Sequence, residues 1–203
     1  MSSGPKYASI AHTAKPLAQA SSRHTAQLVA LEKEHALLLQ QWLSQPSILA
    51  TATLEVAAPW SLRKAEKLIE QNEDSHTGYM FGVLCAECGS LIGFASLGFI
   101  DWKNRSGYVG LVIGDSSHRG LGIGKQSLSL LLDFAFNELA LHRVYGEVLA
   151  TNKISARMVD SLGFALEGIK REACFRDGVF LDVYIYGLLA REWSTKKEGG
   201  FHG

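Results

Sequence analysis

Residues Arg119-Gly120-Leu121-Gly122-Ile123-Gly124 place glycines at alternate positions between an apolar run, Tyr108 to Ile113, and a helical stretch, Lys125 to Ala140. A strand, a tight glycine turn and a helix in that order constrain this chain more than any other feature. Unpaired backbone N–H groups and the positive end of the helix dipole converge at one point, which is how folds hold a phosphate or pyrophosphate. Spacing narrows the choice. A P-loop has four residues between its first glycine and Gly-Lys-Ser/Thr, but three separate Gly120 from Gly124-Lys125, and Gln126 stands where a magnesium-binding hydroxyl belongs. A dinucleotide fingerprint runs G-x-G-x-x-G, whereas Gly120, Gly122 and Gly124 run G-x-G-x-G with no strand–helix unit shortly before them. On its own the turn fits an anion cradle and a plain glycine-rich turn equally.

The rest of the chain supplies context. Residues 1–24 carry no acidic residue and no periodicity, and read as a flexible or loosely packed extension. Gln27 to Leu31 predicts a strand, and Glu34 to Ser44 a helix with Leu38 and Trp42 on its apolar face and Pro46 beyond its end. A second helix starts at Ser61, its N-cap, with Leu62, Ala65, Leu68 and Ile69 on one face. Tyr79–Cys85, Leu91–Leu97 and Tyr108–Ile113 predict three consecutive strands, an antiparallel meander. The helix after the glycine turn has Leu128, Leu131, Leu132, Ala135 and Leu139 on one face. Arg143 to Ala150 follows as a strand, so the connection is most simply a parallel crossover. Asn152 to Leu162 predicts a short helix with Ile154, Met158 and Leu162 inward and Gly163 ending it. Phe164–Lys170 and Phe180–Leu188 predict the last strands, joined by a charged segment, 171–178. The expected fold is a single α/β domain with a mixed central sheet and helices on both faces, spanning residues 25–193 between the extension and a tail, 194–203.

Two further motifs stand in register with the glycine turn: Asn152-Lys153-Ile154-Ser155 and Ser161-Leu162-Gly163-Phe164. With Arg119, Gly122 and Gly124 as R-x-x-G-x-G, this set resembles the GNAT superfamily of N-acetyltransferases. Gly168, Gly178, Asp182, Tyr186, Leu188 and Glu192-Trp193 resemble the closing strands of its RimJ/RimL branch, which acetylates protein N-termini and some small amines. The resemblance covers roughly residues 25–193 and is strongest from 107 onward.

The resemblance implies a splayed parallel strand pair admitting acetyl-CoA, the cosubstrate. It implies that Arg119, Gly120, Leu121, Gly122, Ile123, Gly124 and Lys125 hold the pyrophosphate. Leu111, Val112 and Ile113 would meet the pantetheine arm, with the Val112 N–H as oxyanion donor, and Asn152 and Ser155 would lie near the pantetheine end. It implies direct transfer to a primary amine, foremost a protein N-terminal α-amine. The alternatives are a small amine (polyamine, amino sugar or antibiotic) and a non-catalytic acyl-CoA-binding module. Glu147, five residues before Asn152, is the expected base, with Ser155 as acid through water or Tyr108 as donor. Two positions depart from the family pattern: Tyr108 stands where the first core strand often carries an acid, and Val159 replaces a common tyrosine. The helix pair before the meander would border the acceptor, placing substrate choice between residues 48 and 75. The family leaves room for a homodimer.

Lysine plus arginine balance aspartate plus glutamate at 20 each, so no bulk field recruits nucleic acid or a membrane surface. No apolar run approaches a membrane span and the first residues lack a secretory core, so the expectation is a soluble, cytoplasmic protein. Cys85-Ala86-Glu87-Cys88 has C-x-x-C spacing, but a structural zinc site needs two more ligands at matching spacing, and a redox motif should open a helix. The expectation is therefore reduced thiols at a hairpin, with Cys174 elsewhere, and no metal.

Overall fold

The computed structural model describes residues 25–54, 56–73 and 75–198. The expected extension, 1–24, and residues 199–203 of the expected tail lie outside the described residues. The elements in chain order are β1 (Ala26–Ala30), α1 (Ala36–Trp42), α2 (Pro46–Leu49), α3 (Leu62–Glu73), β2 (Tyr79–Cys85), β3 (Ser90–Asp101) and β4 (Ser106–Ile113). They continue with α4 (Ile123–Asp133), β5 (Arg143–Leu149), α5 (Lys153–Leu162), β6 (Ala165–Arg176), β7 (Val179–Leu189) and α6 (Ala190–Glu198). Seven strands form one sheet in the order β1-β2-β3-β4-β5-β7-β6.

The chemistry of the local sequence accounts for most boundaries. Pro46 does not merely follow a helix: it opens α2 at a position where its missing N–H costs nothing. Ser61 caps α3 by accepting the Lys64 N–H at 3.2 Å. Past Asp133 the helix loosens into a π turn, Phe134–Glu138, in which the Leu139 N–H reaches the Phe134 carbonyl. Asn152 caps α5 and Gly163 ends it at φ +92°.

Two expectations need correction. The segment 171–178 is not a connector: β6 and β7 pair along most of their length, with irregularities near Gly168 and between Lys170 and Cys174, and only the tip turns. Its charged residues read as loop because β6 is an exposed edge strand. Ile154 does not face inward; it is 76% exposed, whereas Val159 and Leu162 are buried and Met158 packs beside them. Once Asn152 fixes the start of α5, the stripe Ser155, Met158, Val159, Leu162 faces the sheet and Ile154 falls to its side.

The sheet separates two cores. On one side Val109, Val144 and Val148 pack with Ile123, Leu128, Leu131 and Leu132 of α4 and Val159 and Leu162 of α5. On the other, Met80, Phe94 and Val112 pack with Leu39 and Trp42 of α1 and Ala65 and Ile69 of α3. Both layers bury large aliphatic side chains, each worth about 1.5–3 kcal/mol against exposure. Among the described residues no helix is long and apolar enough to cross a membrane.

Candidate active site

The one parallel pair, β4 with β5, is short. Ser106, Gly107 and Tyr108 oppose Arg143, Val144 and Tyr145, and beyond Tyr108 the pairing stops. The strands therefore part at Val109 and Gly146, and backbone groups of β4 lose their neighbour on that side. Which groups these are follows from the β3–β4 register. Gly114 donates to the Ile92 carbonyl, and Val112 opposes Phe94 in the same phase. The alternation of an antiparallel ladder turns Val112 toward β3 and leaves Leu111 and Ile113 facing the gap. The expected Val112 oxyanion donor is thereby displaced: its N–H belongs to the sheet, and its side chain is buried against the α1 and α3 core.

The glycine turn sits at the far end of this gap. Gly120 and Gly122 adopt φ +77° and +81°, a left-handed conformation costly for any residue with a Cβ. Gly122 is the N-cap of α4 and supplies no side-chain acceptor, so the first-turn N–H groups of Ile123 and Gly124 precede the first intrahelical bond, Gln126 to Gly122. Space beyond the Cα atoms of Gly120 and Gly122 is open, which suits close approach by an anion. Gly124 packs more tightly: a Cβ there would touch Met158 Sδ, Ile113 and Leu111 at 3.5–3.6 Å.

Arg119 turns away from the loop. Its Nε donates to the Ile113 carbonyl at 2.9 Å and its Nη2 to the Gly114 carbonyl at 3.0 Å and to Gln45 Oε1 at 3.2 Å. The guanidinium thus pins the end of β4 to the segment leading into α2. Gln45 is a site-building residue that periodicity could not reveal, because its partner lies 74 positions away.

The expected catalytic residues fall on two sides of the sheet. Tyr108 and Glu147 lie on the α1 and α3 side, just where the strands part. The Tyr108 ring meets that of Tyr145 edge-on at 5.5 Å, and Phe99 flanks it from β3 at 6.1 Å. Burial, and then the negative charge of Glu147, push the Tyr108 phenol above its usual value, so it holds its proton across the neutral range. Glu147 is ion-paired with Lys170. Arg143 binds Glu167 through both terminal guanidinium nitrogens. Lys170 was missed because it sits on β6, with β7 lying between it and β5.

Ser155 and Asn152 belong to the glycine-loop side. Asn152 accepts the Ser155 N–H at 3.1 Å and donates to the Thr51 carbonyl at 3.3 Å, tying α5 to the chain after α2. Ser155 shares the inward stripe of α5 with Met158, the side chain nearest Gly124. A cleft of about 300 Å³ opens beside it, lined by Thr51, Thr151, Arg176, Val179 and Leu181.

A parallel pair parted at its C-terminal ends, with a glycine-capped helix aimed into the parting, is an arrangement that can hold an extended acyl thioester by strand-like hydrogen bonds. Residues 26–165 match the acetyltransferase (GNAT) domain. The chain belongs to this family. The uncharacterized N-acetyltransferase p20 of Bacillus licheniformis is 29% identical over 167 residues, 81% of this chain and 92% of that one. The putative ribosomal N-acetyltransferase YdaF of Bacillus subtilis is 35% identical over 109 residues, 54% of this chain and 59% of its own. Among solved structures, the spermidine N-acetyltransferase of Vibrio cholerae in complex with CoA and spermine aligns with a TM-score of 0.78 at 25% identity, over 84% of this chain and 98% of that one. The protein is accordingly an acetyl-CoA-dependent N-acetyltransferase of the GNAT type, an acyltransferase of EC class 2.3.1.

Proposed function

We propose that this acetyltransferase acts on the α-amine of a protein or peptide N-terminus, by direct attack on the thioester without an acyl-enzyme. The observation that carries this reading is the pairing of carboxylates where β4 and β5 part. Glu147 is engaged by Lys170 and Glu167 by Arg143, so neither is left over to bind a second positive charge, as recognition of a polyamine would require. The rim there is apolar instead: Phe99, beside Tyr108, is exposed. Such a rim suits the first side chains of a peptide.

The chemistry required is modest. An α-amine has a pKa of roughly 7.7–8.0 against about 10.4 for a lysine side chain, so a weak base suffices to free its lone pair. Glu147 takes that proton, directly or through one water. A thiol leaves with a pKa near about 8.5, and Tyr108, kept protonated by its surroundings, is suited to donate to it. In this reading Ser155 relays a proton to the same sulfur through water. The amides from Gly120 to Gly124, with Lys125 at the rim, hold the pyrophosphate, while Leu111 and Ile113 offer backbone groups to the pantetheine arm and the thioester oxygen. Asn152 shapes the end of that channel, and Arg119 acts through the strand end that it fixes.

A second reading, a small polyamine acceptor, is favoured by Glu66, Glu70 and Glu73 of α3. Lys33 is held above its usual pKa there, first by its hydrogen bond to Glu70 and then by the charges of Glu70 and Glu66. Steady-state thiol release with acetyl-CoA against short peptides of varied first residue, spermidine and an N-blocked lysine decides between them. The expected order of kcat/KM is peptide α-amine above spermidine, with intact-mass analysis placing the acetyl group on the N-terminus. Spermidine as the best substrate overturns the proposal.

A further inference from the structure

The β2–β3 hairpin carries Cys85 and Cys88, and the turn just before the glycine loop carries His118. Folding brings them together: one ligand atom from each lies within 4.8 Å of the others, and Cys88 Sγ is 3.8 Å from His118 Nε2. The geometry points to a metal site formed by Cys85 Sγ, Cys88 Sγ and His118 Nε2, fitted to Zn²⁺ with a fourth position open to solvent. This site stands whatever the acetyl acceptor is.

Four observations carry it. The first is distance. Tetrahedral zinc with bonds of about 2.3 Å to sulfur and about 2.1 Å to nitrogen sets its sulfur and nitrogen ligands about 3.6 Å apart, close to the spacing present before any metal draws them in. The second is the donor set, since two thiolates and an imidazole suit a borderline-soft cation and not magnesium or calcium. The third is the other face of the imidazole. His118 Nδ1 lies 3.1 Å from Asp115 Oδ2 and 3.0 Å from Ser117 Oγ, and Asp115 is itself fixed by the Ser117 N–H. A carboxylate on Nδ1 orients the ring with Nε2 toward the sulfurs, as carboxylate partners do for metal-bound histidines.

The fourth is how the hairpin treats the sulfurs. The Cys88 N–H is directed at the Cys85 sulfur and the Ser90 N–H at the Cys88 sulfur, while Gly89 closes the turn by donating to the Cys85 carbonyl at 2.8 Å. Backbone N–H groups aimed at sulfur are outer hydrogen bonds of the kind that orient a metal's ligands. Glu87, 3.4 Å from Cys85 Sγ and bonded to the Thr25 N–H, is the neighbouring carboxylate. Binding releases the thiol protons to solvent, so affinity rises with pH. Spacing along the chain displays only the two cysteines, because the third ligand arrives from 30 residues away.

The test uses the full chain, stripped with a chelator under reducing conditions and titrated with Co²⁺. The expected result is a thiolate-to-cobalt charge-transfer band in the near ultraviolet with the visible bands of tetrahedral Co²⁺, both bleached by Zn²⁺. Cys88→Ser and His118→Ala should each abolish or shift this spectrum, and Asp115→Asn should weaken Zn²⁺ by about 10- to 100-fold, the usual worth of an outer partner. Cys88 is exposed, so its serine variant should keep the far-ultraviolet circular dichroism of the parent. A spectrum lacking thiolate bands, or one unchanged in both ligand variants, overturns the site. So does a chain purified without reductant whose mass shows Cys85 and Cys88 joined as a disulfide that reduction does not convert to metal-binding form.

Discussion

Arg143 on β5 and Glu167 on β6 form their two-pronged ion pair directly over Gly187 of β7, the strand that separates them. A Cβ at Gly187 would fall inside van der Waals contact of both partners. The glycine is thus the gap through which two strands that are not neighbours are joined. Gly187→Ala should push the pair aside and cost up to about 1 kcal/mol, the usual worth of an exposed ion pair. The loss should shrink when Glu167→Ala is added, because the clash and the pair share atoms. Urea unfolding of the single and double variants measures this, and additive losses would mean the methyl is accommodated elsewhere.

A backbone argument governs Gly122. Nothing crowds its Cα, so a side chain there is opposed by conformation alone: φ +81° suits glycine and costs other residues roughly 1–2 kcal/mol. Gly122→Val should pull the turn out of shape, abolish acetyl-CoA binding in a calorimetric titration and leave far-ultraviolet circular dichroism nearly unchanged. Unaltered affinity would remove the pyrophosphate from this loop.

These two glycines mark what the sequence could and could not disclose. Gly120, Gly122 and Gly163 announced themselves because local conformation demanded them, and local demand is what a sequence records well. The same holds for β2, whose predicted bounds match, and for the α4 stripe Leu128, Leu131 and Leu132, buried as expected. Gly187 has an ordinary strand conformation; its need arises from side chains 44 and 20 positions before it, and no period encodes that. The insertion of β7 between β5 and β6 hid both cross-strand ion pairs for the same reason. Val112 was misplaced more subtly. Its residue type fits the gap as well as Leu111 or Ile113 does, and only the hydrogen-bond phase of β3 against β4 decides which of them faces it. His118 joined the cysteines through the docking of a hairpin on a turn, a contact with no local signature.

The Tyr108 phenol gives a pH signature. Its folded-state pKa is raised above the ordinary value of about 10, so the native state keeps this proton where the unfolded chain has begun to lose it. Stability linked to Tyr108 is therefore whole below about pH 10 and is lost as pH rises through the folded value. Tyr108→Phe should flatten that alkaline decline in thermal melts. If Tyr108 is the proton donor, the same variant should also lower kcat by about 10²-fold or more at neutral pH, with little change in acetyl-CoA affinity. A flattened melt profile with unchanged kcat would leave Tyr108 a structural aromatic.

Glu147 offers the sharpest test of the reaction itself. Its carboxylate is 17% exposed, stands on the same face as Tyr108 and is steadied by Lys170, so it can receive a proton without leaving its rotamer. As the base, directly or through one water, it should make Glu147→Gln lower kcat by about 10² to 10⁴, the range of a positioned general base. Acetyl-CoA affinity should hold, because the groups proposed to bind the coenzyme, the loop amides and the backbone of Leu111 and Ile113, do not include this carboxylate. The acidic limb of the pH–rate profile should collapse to the ionisation of the amine alone. Lys170→Met separates this from a merely structural role. It removes the ion pair and keeps the carboxylate, so it should retain far more activity than Glu147→Gln if the carboxylate accepts the proton, and lose as much if only the pair matters. Equal losses in the two variants, with the same pH profile as the parent, would make Glu147 a strut of the β5–β6 crossing and return the proton to solvent.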